Sequence, residues 1–166
     1  VIQDDLVIWK NPALISLRGL NHLEYVGGNF KVCENQALTS LSEVSAINEI
    51  GSGLIVVANS ALLDLGELGT VQHLGGDLNI SANSILPNLD GLAGLITVGG
   101  DLQIYGLAQL TDTNGLRTLT RVDGDFIIWR NPTMAHINGL AQLEFVGQRL
   151  EISENESLTD LAGLKN

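Results

Sequence analysis

Two stretches of this chain are near copies, Asp5-Leu6-Val7-Ile8-Trp9-Lys10-Asn11-Pro12 and Asp125-Phe126-Ile127-Ile128-Trp129-Arg130-Asn131-Pro132. Each sets an indole beside a cation, and aromatic and Arg anchors are what interface hot spots are enriched in. That chemistry is recognition rather than turnover. Residues that could carry turnover are scattered. His22, His73 and His136 stand far apart, and they read as surface histidines rather than as ligands converging on a metal. Glu24 and Glu144 are equally remote, so paired-carboxylate acid and base work lacks its geometry. No G-x-S-x-G elbow is present. The single cysteine, Cys33, excludes an internal disulfide framework and a cysteine-only zinc site, and it reads as a small hydrophobe beside Trp9 or as a reactive thiol. No catalytic residue, cofactor or metal site is expected, and the chain reads as a non-enzyme.

The 166 residues carry 8 Lys+Arg against 19 Asp+Glu, a net charge of −11. Without a basic run, such a chain has no footprint for phosphate, which argues against nucleic acid and anionic membrane surfaces. With 45% hydrophobic and 16% charged residues it can bury a sizeable core and is too apolar to be disordered. Apolar runs such as Leu54 to Ala58 fall far short of the roughly 20 residues that span a bilayer, so no membrane insertion by this segment is expected. No initiator Met or basic-plus-apolar leader is in view, as expected of a mature protein or a segment of a longer one.

What must position the indoles is a repeat. Rows of 24 residues beginning at Asp5, Asn29, Gly53, Asp77, Asp101, Asp125 and Arg149 align without insertion or deletion. They share D-L-x-I-x-x-N-x-x-L-x-x-L-x-G-L-x-x-L-x-x-V-G-G. Apolar second and fourth residues, such as Leu6 and Ile8, alternate with the third and fifth, so each row opens with a short strand and the rows stack as a parallel sheet. Inward positions then recur every three residues, as in Leu14, Leu17, Leu20, Leu23 and Val26, which suits a bending coil better than an amphipathic helix. The seventh position, Asn11, Asn35, Asn59, Asn83, Leu107, Asn131 and Asn155, reads as an asparagine ladder whose buried amides need partners. Leu107, Thr113 and Asp123 depart from the pattern together, so an irregular turn is expected in that row. Glycine pairs such as Gly75-Gly76 read as corners at positive φ, and the Asp column as turn formers rather than calcium ligands. The single domain spanning residues 1–166 is therefore expected to be a mainly β solenoid of about seven turns with few helices. Its incomplete first and last rows suggest that solenoid or capping sequence continues beyond them.

The strings Val98-Gly99-Gly100-Asp101-Leu102-Gln103-Ile104 and Ile80-Ser81-Ala82-Asn83-Ser84-Ile85-Leu86 resemble the receptor L domain group of leucine-rich-repeat families, and the likeness runs along the whole chain. It departs from the standard leucine-rich pattern, because Leu follows the ladder Asn after two residues rather than one. The cysteines of the animal receptor modules are also missing. The resemblance implies a right-handed β-solenoid used for recognition outside the cell or at its surface, with a protein or glycan as partner.

On each strand the third and fifth residues point outward, and several are apolar where solvent would favour Thr, Lys or Glu. Val7, Trp9 and Lys10 at one end, and Tyr105, Ile127, Trp129 and Arg130 at the other, are the expected ligand-binding residues. Tyr105 and Trp129 are expected to form an aromatic shelf beside Arg130. The two Trp sites either bracket one extended ligand or reflect row duplication. The same apolar strip could instead pack against another copy in a surface stalk. Two glycosylation sequons are present: Asn79 faces outward, while Asn155 is expected to be inaccessible within the ladder.

Overall fold

A computed structural model describes residues 1–165 of the chain. The second to fifth residues of every row form a four-residue strand, from Leu6–Trp9 to Leu150–Ser153, and these strands build one seven-stranded parallel sheet in row order. Register holds across it, with Leu6 beside Phe30 and Phe126 beside Leu150. Each sequence column thus becomes a file of side chains crossing the sheet. Short strands from Tyr25–Val26 to Phe145–Val146 make a second, six-stranded sheet near the row ends. Between the sheets the chain bends through 3-10 turns at Ser42–Val44, Asp90–Leu92, Asn114–Leu116 and Asn138–Leu140. Inward residues recur every three through these turns and equally in a row without one, where Leu62, Leu65, Leu68, Val71 and Leu74 are all buried. No α-helix occurs among the described residues.

The alternation becomes a core directly. Leu38, Leu41, Val44, Ile47 and Ile50 of one row are all buried, as are the strand residues Phe30 and Val32 of that row. Burying a side chain of that size contributes about 1.5–3 kcal/mol, but each row buries its face only against the next. The first and last described rows accordingly leave Leu6, Ile8, Ile152 and Leu158 half-buried.

Two side-chain ladders of opposite polarity flank the large sheet. In the asparagine ladder the backbone N–H of one row donates to the amide oxygen of the next, as from Asn35 to Asn59 at 3.0 Å and from Asn59 to Asn83 at 2.9 Å. In the acidic column the direction reverses. The N–H of Asp101 donates to Asp77 Oδ1 at 2.9 Å, and that of Asp125 donates to Asp101 Oδ1 at 2.8 Å. The acidic column is therefore a stacking device between rows and not merely a turn former. A second acidic file caps the bends: Asp64, Asp112 and Asp160 each accept the N–H two residues on, the local bond for which Asp is favoured in turns.

Three expectations are corrected. The glycines closing the rows do not adopt positive φ. A Cβ on Gly27, Gly51, Gly75, Gly99 or Gly147 would fall within 3.0 Å of a carbonyl oxygen in the preceding row, so close approach between rows requires them. Positive φ belongs instead to the sixth file, where Lys10, Glu34, Ala58, Ala82, Gly106, Arg130 and Glu154 have φ between 51 and 66°. The row opening at Asp101 is not irregular, since Leu102–Tyr105 pairs in full register with both neighbours. Leu107 is buried there and its N–H still donates to Asn131 Oδ1 at 3.1 Å; what that row lacks is an amide to receive the Asn83 N–H. Finally, Asn155 is half-buried rather than inaccessible, because it stands in the last described row.

Candidate functional site

The outward face of the seven-stranded sheet carries every residue expected to bind, or borders it. At its first end, Val7 and Trp9 are 52% and 55% exposed in the edge strand, where their counterparts Ile127 and Trp129 in an interior strand are half-buried. Trp9 lies beside Cys33 in register. Burial there pushes the Cys33 thiol up, ahead of any neighbouring charge, so it stays protonated at neutral pH. Val7, Trp9, Cys33, Val57 and Ala58 line an open hollow of about 490 Å³.

Two neighbours hold the Trp9 ring. The Lys10 ammonium stands 4.5 Å from the ring centroid. The indole N–H donates to Glu34 Oε1 at 3.0 Å, and the other Glu34 oxygen lies 3.9 Å from Lys10 Nζ. Neighbours along a strand point to opposite faces, so a cation directly after an outward Trp belongs inside. The positive φ of Lys10 reverses that and keeps the ammonium outside, over the ring.

The far end repeats the arrangement. Tyr105 and Trp129, in register on adjacent strands, have ring centroids 5.9 Å apart and planes tilted by 42°. Arg130, again at positive φ, places its guanidinium 4.4 Å from the Trp129 ring centroid. Its Nε donates to Glu154 Oε2 at 2.6 Å. Hydrogen bonds from Arg130 first, and from Trp129 second, hold the Glu154 carboxyl below its ordinary range. Ile127 shares this strand and is half-buried.

The structure therefore brings Trp9 together with Lys10, and Tyr105 together with Trp129 and Arg130. It keeps the two groups five strands apart, roughly 24 Å at the usual strand spacing. Between them the face is mixed, with Cys33, Ile55 and Val57 nearer Trp9 and Asn79, Ser81 and Gln103 nearer Tyr105. Asn79 Nδ2 donates to Gln103 Oε1 at 3.3 Å, and the Ser81 hydroxyl donates to Asn79 Oδ1 at 2.6 Å. Glu34 and Glu154 are the functional residues that sequence reasoning missed. Their signal was the sixth column, in which each cation is followed one row later by a glutamate.

Electrostatics on this face are internally closed. Lys31 pairs with Asp5 at 3.3 Å, and Arg149 with Asp125 and Glu151 at 3.2 and 2.8 Å. The Asp5 carboxyl is held below its ordinary range, chiefly by the N–H of Asn29. Every cation on or beside the strand face thus has a carboxylate partner. Among the described residues no group of three His, Cys, Asp or Glu side chains is placed to hold a metal, and no helix is long and apolar enough to cross a membrane.

The chain matches no family model, no curated protein and no solved structure.

Proposed function

We propose that this chain is a non-enzymatic recognition module of a secreted or cell-surface protein, binding a protein or glycan through the outward face of its seven-stranded sheet. The observation that carries the proposal is the twice-built aromatic group. Trp9 with Lys10 and Glu34, and Trp129 with Arg130 and Glu154, are the same three-part arrangement at two ends of one sheet. A ring held by a cation and a carboxylate has lost side-chain freedom before any ligand arrives, which lowers the entropy lost on binding. The resemblance to receptor L domains supports placement outside the cell, although fold-level likeness names no ligand.

The same exposed Val7 and Trp9 favour one other reading, a self-assembling stalk in which the strip meets a second copy. Labelled protein applied to intact cell surfaces tests the proposal, with wild type run beside a Trp129→Ala, Tyr105→Ala double variant. Both side chains point outward, so circular dichroism should be unchanged. Loss of adsorption in the variant is expected, and equal adsorption by both proteins overturns the assignment.

A further inference from the structure

Resting on that reading, we infer that the ligand is a single, uncharged polysaccharide chain lying across the strands, its sugar faces against the aromatic groups. Size, backbone and charge each narrow the occupant. Each strand is four residues long at about 3.3 Å each, so the face is a strip about 13 Å wide that runs across the strands. A small globular domain, about 30 Å across, would cover roughly 400 Å² of such a strip, half of the roughly 800 Å² that a stable interface takes from each partner. The face suits something narrow and extended.

An extended peptide is the obvious narrow partner, and it gains affinity by pairing its main chain with an open sheet edge. This face is not an edge. Every strand between the first and the last is paired on both sides, so the face presents side chains and no row of free N–H or C=O groups. What it does present is rings beside amides. The electron-rich faces of Tyr105 and Trp129 complement the polarised C–H groups of a sugar ring. Gln103 and Asn79, one and two strands along from Trp129, bond to each other through Asn79 Nδ2 and leave the Gln103 amide N–H groups for hydroxyls.

Charge sets the class of sugar. Uronates, sulfates and phosphates need a free cation, and Lys10, Lys31, Arg130 and Arg149 are already committed to carboxylates of this chain. The net charge of −11 repels polyanions further. The polymer is therefore neutral.

The test titrates the intact chain with neutral hexasaccharides of glucose, mannose and N-acetylglucosamine, and with a hexagalacturonate, by calorimetry. A panel of purified extracellular proteins is probed in parallel. A neutral hexasaccharide is expected to bind, to weaken at least about tenfold in the Trp129→Ala, Tyr105→Ala variant, and to keep its affinity from about 50 to about 500 mM salt. Preference for the galacturonate, or steep salt dependence, overturns the neutral-polymer inference and leaves the recognition face standing. The same holds if only a protein on the panel binds and the double variant abolishes it. Binding of a sugar that both proteins share equally, or no aromatic-dependent signal anywhere, overturns the inference and the recognition face together.

Discussion

Replacing Asn59 by Ala isolates the device that locks rows to one another. The Asn59 Oδ1 receives the Asn35 N–H at 3.0 Å, and its Nδ2 donates to the Val32 carbonyl at 2.9 Å, with both asparagines fully buried. Alanine leaves the Asn35 N–H buried without that acceptor, which costs about 1–3 kcal/mol, and removes an amide bond worth about 1 kcal/mol. The Val32 carbonyl is shared with the strand ladder, so its loss is partial. The expected destabilisation is about 3 kcal/mol, or about 6–12 °C in Tm for a chain of this size. Urea unfolding followed by circular dichroism reads it as a lower midpoint at unchanged slope. Asn11→Ala is the control: Asn11 is exposed in the first row, and its loss should stay within about 0.5 kcal/mol. A loss below about 1 kcal/mol for Asn59→Ala, or equal losses for both variants, would refute the ladder as the source of row-to-row stability.

Thr113 occupies a leucine file, fully buried, with a hydroxyl that meets no partner. Thr113→Val keeps the shape and should raise stability by about 1 kcal/mol in the same urea assay; a destabilised variant would mean the hydroxyl is satisfied. Gly139→Ala and Gly106→Ala make the same chemical change with unequal results. A Cβ at Gly139 would lie within 3.0 Å of Thr113 and Asn114 backbone, whereas at Gly106 the nearest atom is 3.6 Å away and Ala58 and Ala82 already share its positive φ. Thermal unfolding should show a loss of about 3 kcal/mol or more for the first and about 1 kcal/mol for the second; the reverse order contradicts the packing assigned here. Because Glu154 has a lowered pKa when folded, the clamp it forms is fully present above the ordinary Glu value of about 4.3 and is lost as pH falls through the lowered one. In a Trp9→Phe background, Trp129 emission should therefore titrate only below the ordinary Glu value and lose that transition in Glu154→Gln, while a midpoint above the ordinary value would contradict the clamp.

Much of this was legible because a perfect 24-residue register turns the sequence into a map of the surface. Once Leu6 and Ile8 are inward, Val7 and Trp9 must be outward, and a neighbouring row places Tyr105 beside Trp129 without further assumption. What stayed hidden depends on backbone conformation rather than on spacing. Positive φ is ordinarily signalled by Gly or Asn. Here its file holds Lys10, Glu34, Ala58, Ala82, Arg130 and Glu154, none of which announces it, and Gly106 alone does. The glycines that seemed to signal it answer to a different force, the contact between stacked carbonyls and any added Cβ. The irregular row was misjudged for a related reason: the strand bonds and the Leu107 N–H maintain register whatever the side chain, so substitution there interrupts one ladder contact and not the fold.

The most direct test of a recognition face, as opposed to a packing face, is sedimentation velocity across a wide concentration range, with wild type and the Trp129→Ala, Tyr105→Ala variant side by side. A strip only four residues wide, with its cations already paired to carboxylates, predicts a monomer at every concentration for both proteins. Self-association of the wild type that disappears in the variant would contradict this and make the aromatic strip an assembly interface.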